Sequence, residues 1–207
     1  MRAANALELR LLVTAAVCVV LMFALGAFVS SRTPTRIDVE ATALRGTAVP
    51  LALFFTGLGR WPVLLGIAVA AGALAATVRT GIVPVAIVFA TQVVSQGANA
   101  GLKLLFHRTR PDAWLGIHEK DLSYPSGHAV TAVVFFVGFA LLAWHSPLPR
   151  PVAAALAAVL LVCAAGVPWS RIALSAHYLT DVAGGLLLGT AFLCVALIAI
   201  ARVQARV

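Results

Sequence analysis

Long apolar runs separated by short polar stretches constrain this chain more than any other feature. Leu11 to Val29 contains no charged residue. As a helix rising about 1.5 Å per residue, such a run nearly crosses a hydrocarbon core of about 30 Å. A hydrophobic content of 62% with 11% charged residues and a mean hydropathy of +1.02 lies outside the soluble globular range. The expected fold is all-α, a polytopic membrane helix bundle.

Six runs qualify as spans: Leu11 to Val29, Trp61 to Val78, Ile82 to Phe106, Ala129 to Trp144, Val152 to Val167 and Tyr178 to Ala201. The first is read as a retained span, because signal-peptide cores are shorter, about 7 to 15 residues. Ser30 to Arg45 is polar, with Arg36, Asp38 and Glu40 among its charges. Val49 to Leu58 is apolar but covers only about half of the core, which predicts an interfacial or re-entrant helix near 46–58. No internal repeat or soluble segment breaks the pattern, so residues 1–207 read as one membrane-embedded domain.

The net charge of +8 does not point to nucleic acid, since the basic residues are scattered between apolar runs and form no aromatic-basic face. Cys18, Cys163 and Cys194 each lie inside an apolar run and read as small buried hydrophobes rather than a disulfide or metal framework.

The third span is interrupted by Gln92, Gln96, Asn99 and Lys103, which fall within about 60° of one another on a helical projection. A polar stripe in a membrane helix faces protein or a water-filled cavity. The amides read as interhelical hydrogen-bond donors and acceptors, whereas a full charge on Lys103 needs an anion. Gly185 and Gly189, spaced by four residues after Asp181, form a small-residue face suited to close helix packing. Trp114, in the loop before the fourth span, reads as a headgroup-level anchor. Asp112, Glu119, Lys120 and Asp121 read as a solvated loop, and His107, Arg108, His118 and His145 as interfacial residues.

Ionisable groups concentrate in three stretches. These are Lys103-x6-Arg110-Pro111, Pro125-Ser126-Gly127-His128 and Ser170-Arg171-x5-His177-x3-Asp181. With six spans, parity places all three on one side of the membrane. Charges at a bilayer boundary are functional candidates by default. Ser126 is positioned as a helix N-cap, so free N–H groups of the fourth span would face the same site. Cations, two histidines, one carboxylate and a helix start together suit a phosphoryl group. His177 and Asp181 at i, i+4 could share a helix face, as a hydrogen-bonded pair or as metal ligands, but the surrounding cations would repel a metal. Arg171 lies about 240° from His177 on a straight helix, so gripping one phosphate requires a bend over Ile172 to Ala176, with the sixth helix starting near His177.

The three stretches, in this order, resemble the signature motifs of the type 2 phosphatidic acid phosphatase family, whose wider superfamily includes the vanadium haloperoxidases. The resemblance implies that His177 is the nucleophile, that Asp181 fixes its tautomer, and that His128 is the general acid and then base. It assigns Lys103, Arg110, Ser126, Gly127 and Arg171 to the phosphate oxygens. It implies no metal and no cofactor. It also places the site on the extracytoplasmic face and both termini in the cytoplasm of a cell-membrane protein, whereas the basic residues divide evenly between the faces once Lys103, Arg110 and Arg171 are set aside. Ala173 and Ser175 depart from the family form, which often has an aromatic residue and a glycine there, and Leu179 stands where a proline is frequent.

The implied activity is hydrolysis of a phosphate monoester or diphosphate on a membrane lipid headgroup of phosphatidate, phosphatidylglycerol phosphate or polyprenyl diphosphate type. Phosphotransfer to a lipid or glycan acceptor is the alternative reaction. A non-catalytic phospholipid-binding or transport protein is the alternative class.

Overall fold

The computed structural model describes residues 2–30, 34–78, 81–112, 115–116 and 121–205, with side chains from residue 5. Trp114, His118, Glu119 and Lys120 therefore lie outside the described residues. The described elements are helices: α1 (Arg2–Ser30), α2 (Arg36–Ala41) with a 3-10 turn to Leu44, α3 (Val49–Leu58), α4 (Trp61–Thr77), α5 (Val83–Phe106), α6 (Gly127–Thr131), α7 (Gly138–Trp144), α8 (Arg150–Ala173) and α9 (Leu179–Gln204). A π-helical stretch, Ala132–Val137, joins α6 to α7 into one helix of 18 residues, Gly127–Trp144.

Five of these helices are long and apolar enough to cross a membrane, or up to six if the bent pair Arg36–Leu44 and Val49–Leu58 is one span. The all-α membrane bundle is thus as expected. α4, at 17 residues, is a shorter apolar helix. It works together with α3. The bend into α3 is 111°, and the helix then descends antiparallel to the end of α8. Gly46 N–H bonds to the Ala173 carbonyl at 2.9 Å, Ala52 packs on Ala173 and Leu174, and Phe55 stacks edge-on against Trp169. A Cβ on Gly166 would strike the Phe55 ring at 2.3 Å, so the glycine admits this approach. From there α4 leads to the far end of the bundle, where Leu74, Ala75 and Val78 line a cavity with His145, Ser146 and Gln204.

α9 is the central helix. Gly185 and Gly189 let it meet the helix opened by α6, as their four-residue spacing suggests: a Cβ on Gly185 would lie 2.4 Å from the Ser126 carbonyl oxygen, and one on Gly189 2.9 Å from Val133 Cβ. Tyr124, fully buried, packs edge-on against Phe106 and donates its hydroxyl to the Met22 carbonyl at 2.5 Å, tying α1 to the segment before α6. The polar stripe of α5 faces inward. Gln92 and Gln96 donate to Thr131 Oγ1 at 2.8 and 3.1 Å, and Gln96 also donates to the Gly127 carbonyl at 3.0 Å. Those bonds lock α6 against α5, which is the interhelical role expected of Gln92 and Gln96, whereas the buried Asn99 side-chain oxygen finds no partner among the described residues. Cys18, Cys163 and Cys194 are free thiols, the first and last buried.

Two expectations shift at the site end. α8 continues through Pro168 to Ala173, six residues past the predicted Val167, and carries Arg171 in its last turn. The bend falls over 174–178 rather than 172–176, while α9 begins at Leu179, near His177 as expected. The cause is local hydrogen bonding. Ala176 N–H bonds to the Arg171 carbonyl at 2.8 Å and Ser175 N–H to the Ile172 carbonyl at 2.9 Å, the paired closure of a Schellman turn. Asp181 then caps the Tyr178 N–H at 2.9 Å and sets the start of the next helix.

Candidate active site

The ends of α5 and α8 and the starts of α6 and α9 converge, so the three charged stretches meet as parity requires. Arg110 is the link between the first and third. Its Nη1 lies 2.9 Å from His177 Nε2 and donates to the Ala176 carbonyl at 2.8 Å. Its Nη2 reaches the Asp121 carboxylate, and its Nε donates to the Asp121 carbonyl at 2.9 Å. Lys103, 7% exposed, donates to the same carboxylate and to the Leu122 carbonyl at 2.6 Å. Asp121 is exposed, as a solvated loop residue should be, and is also a ligand of two cations. Burial alone would raise its carboxyl, but Lys103 and Arg110 outweigh that and hold it below the usual carboxylate value.

His177 and Asp181 meet across the start of α9, not along one helical face. His177 Nδ1 lies 3.4 Å from Asp181 Oδ2, longer than a strong hydrogen bond, and both side chains are buried. Separations of this length are common in catalytic pairs before substrate arrives. Burial, and after it the charges of Arg110, Arg171 and Lys103, pushes the His177 ring well below the ordinary histidine value. The ring is therefore neutral near pH 7, the form that carries a nucleophilic lone pair.

The second stretch approaches from α6. Ser126 precedes the helix and its N–H bonds to the Asp181 carbonyl at 3.0 Å, joining the starts of α6 and α9. Its hydroxyl makes no capping bond, contrary to the usual behaviour of an N-cap serine. That oxygen is buried and finds no hydrogen-bond partner among the described residues. An orphaned buried hydroxyl beside unpaired first-turn amides is suited to an incoming anion. His128 Nε2 sits 3.3 Å from the Thr56 carbonyl.

Thr56 also accepts a bond from Arg171 Nη1 at 2.5 Å through its hydroxyl. One residue of α3 thereby places a histidine from α6 and an arginine from α8. Gly59 follows three residues later, where a Cβ would come within 2.6 Å of His128 Cδ2.

Arg108 is the largest correction to the sequence reading. It is 3% exposed and not interfacial. Its Nη1 donates to Asp181 Oδ1 at 2.5 Å and to Thr180 Oγ1 at 2.6 Å, its Nη2 donates to Asp38 Oδ2 at 2.9 Å, and Tyr178 lies 4.4 Å from its guanidinium carbon. His107 and His145, by contrast, are exposed. Among the described residues no group of three or more His, Cys, Asp or Glu could hold a metal ion.

The PAP2 superfamily matches residues 81–205. Phosphatidylglycerophosphatase B of Bacillus subtilis is 36% identical over 92 residues, which cover 44% of this chain and 45% of that protein. The match thus spans less than half of the curated relative. A crystal structure described as a transmembrane PAP2 type phosphatidylglycerolphosphate phosphatase from Bacillus subtilis superposes with a TM-score of 0.69 at 26% identity and covers 98% of both chains.

Proposed function

Because the chain belongs to the PAP2 superfamily, we propose that it is a membrane phosphatase that hydrolyses a phosphate monoester or diphosphate on a lipid headgroup through a phosphohistidine at His177. The observation that carries this reading is the placement of Arg110, whose guanidinium bridges His177 Nε2 and an anion, the Asp121 carboxylate. A phosphoryl group replacing that carboxylate would lie on Lys103 and Arg110, within reach of the nucleophilic nitrogen. Ser126, the Gly127 amide and Arg171 complete the cradle from the other side.

The steps follow from these positions. Phosphate oxygens draw Arg110 away from Nε2 and free its lone pair. Nε2 attacks phosphorus, the P–O bond to the lipid breaks, and the departing oxygen takes a proton from His128. The ring gains a positive charge, which Asp181 stabilises across Nδ1–H. His128 then removes a proton from water, water oxygen attacks phosphorus, and the N–P electron pair returns to Nε2. Charge-assisted bonds worth roughly 1.5 to 3 kcal/mol each make three cations a large part of the transition-state stabilisation. No step calls for a metal.

Phosphatidylglycerol phosphate is the first substrate to test, since both relatives are named for it. The site is assigned to the extracytoplasmic face of the cell membrane, with the termini cytoplasmic. Purified protein should release phosphate from that lipid in the presence of a chelator. Phosphatidate and a polyprenyl diphosphate serve as the comparison panel. His177→Ala should lower the rate by about 10³-fold or more. Unchanged release in that variant would overturn the mechanism, and phosphate appearing only on an added acceptor would replace hydrolysis with transfer.

A further inference from the structure

Outside the residues matched by the superfamily, α2 carries a carboxylate that no part of the proposed reaction uses. Asp38 is 2% exposed. Its Oδ1 accepts from Thr180 N–H and Thr180 Oγ1, each at 2.9 Å. Its Oδ2 accepts from Arg108 Nη2 at 2.9 Å, Thr35 Oγ1 at 2.9 Å and Thr35 N–H at 3.1 Å. Thr180 neighbours Asp181 in the first turn of α9, and Arg108 is the residue that grips Asp181 from the side opposite His177.

We propose that Asp38 is a positioning residue for the histidine nucleophile, acting through Arg108 and Thr180 on Asp181. The inference rests on the phosphohistidine reading of the site. Two physical effects support it. The first is orientation. Asp181 must aim Oδ2 at His177 Nδ1, and its backbone is fixed by the α9 start that Asp38 pins at Thr180. Its Oδ1 is held by Arg108, which Asp38 anchors from the other end of the guanidinium.

The second effect is charge. Arg108 paired with Asp181 alone would form a neutral couple, and a neutral couple does little for a ring that turns positive during attack. Sharing Arg108 between two buried carboxylates leaves the cluster with one net negative charge beside His177. That charge is balanced when the N–P bond forms and the imidazole becomes cationic. In a low-dielectric interior such a charge is worth far more than in water.

A purely structural role predicts something different. A staple between α2 and α9 would need only the Thr180 contact, and its loss would loosen the fold without selecting a kinetic step. Here the carboxylate also divides the guanidinium with the residue behind the nucleophile, so its removal should act on chemistry.

The test compares wild type with Asp38→Asn and Thr35→Ala in detergent, on the same lipid phosphate. Asp38→Asn keeps an oxygen for Thr180 and removes the charge. It should lower kcat by about tenfold to a hundredfold, with KM changed by less than about threefold, because a loss confined to the transition state lowers kcat alone. Thr35→Ala removes the α2 cap but leaves the contacts of Asp38 to Arg108 and Thr180, and should keep kcat within about twofold of wild type. If Asp38→Asn does not fold, Thr180→Val removes the hydroxyl that joins Asp38 to Arg108, and a kcat loss of about threefold to tenfold is expected from it. A loss that falls on KM, equal losses in Asp38→Asn and Thr35→Ala, or an unaltered kcat in folded Asp38→Asn or Thr180→Val would each overturn the proposal. Failure of the underlying reading is separately visible, since wild type would then release no phosphate or His177→Ala would remain active.

Discussion

Arg108 and Arg110 are two residues apart and live in opposite surroundings. Arg108 lies between Asp38 and Asp181, two carboxylates with no side-chain exposure. Arg110 is buried too, but its carboxylate partner, Asp121, is 52% exposed. The first cluster is closed on every side and has no room for an exchange of anions. The second is open on the Asp121 side, where an exposed ion pair is worth about 1 kcal/mol or less, so that on the proposed reading a phosphate takes the carboxylate's place. On the proposed reading one arginine builds the site and the other serves it, a distinction of partner exposure that residue type does not reveal.

Removing each arginine should separate the two roles. Arg108→Ala leaves two buried carboxylates without their shared cation, which costs about 3 to 5 kcal/mol. The variant should melt far below wild type in detergent, and a melting profile close to wild type would abolish the distinction. Arg110→Ala should keep its fold, with a melting temperature near that of wild type. Its kcat/KM should fall by about 10² to 10³, the scale of losing one preorganised donor to transition-state charge. Severe unfolding of Arg110→Ala would mean that both clusters are structural.

Asp121 gives a smaller and more discriminating effect. It stays ionised at neutral pH, because Lys103 and Arg110 hold its carboxyl below the usual value. If it is an anion that substrate must displace, Asp121→Asn should tighten inhibition by inorganic phosphate and lower KM by about threefold to tenfold, roughly 1 kcal/mol of lost competition. If instead it holds the two cations in place, KM should rise by a similar factor. The same sign should appear in wild type as pH falls through the depressed carboxyl value. Protonation there removes the competing charge. The groups that face His177 and bear on this profile are Arg110, Lys103, Arg171, His128 and Asp181.

What could be read from the chain follows the same division. Lys103, Arg110, Ser126, His128, Arg171, His177 and Asp181 stand out because each interrupts or borders an apolar run, where charge is expensive, and helix parity alone brings them to one end. Asp38, Thr56, Arg108 and Asp121 do not stand out, because three of them sit in polar connections where charge is cheap and Thr56 is a small hydroxyl in an apolar helix. Two of them have partners far along the chain, Asp38 being 142 residues from Thr180 and Thr56 115 from Arg171. A signal was available for Asp38 alone. Thr35-x-x-Asp38 has the spacing of a capping box and announces a helix where the polar stretch suggests only a linker. That His177 stands outside α9 was hidden for a related reason, since helical spacing between His177 and Asp181 cannot show that Asp181 starts the helix by capping Tyr178 N–H.

The smallest expected effect concerns backbone rather than charge. Ser175 has φ +54°, the left-handed conformation at the Schellman position where glycine is usual. It is one of the positions at which the chain departs from the common family form, and the geometry shows what the departure costs. A side chain in this region is disfavoured by about 1 to 2 kcal/mol, part of which glycine returns through its greater freedom in the unfolded chain. Ser175→Gly should therefore stabilise the protein by about 0.5 to 1 kcal/mol, raising its melting temperature by about 2 to 4 °C. The turn lies between Arg171 and His177, and its hydrogen bonds to the Arg171 and Ile172 carbonyls come from backbone N–H groups that the substitution leaves intact. Turnover should accordingly stay within about twofold of wild type. A lower melting temperature would show that the serine side chain contributes more to this turn than its backbone strain takes away. A large fall in kcat with unchanged stability would move Ser175 from the scaffold, with Arg108, into the working half of the site, with Arg110.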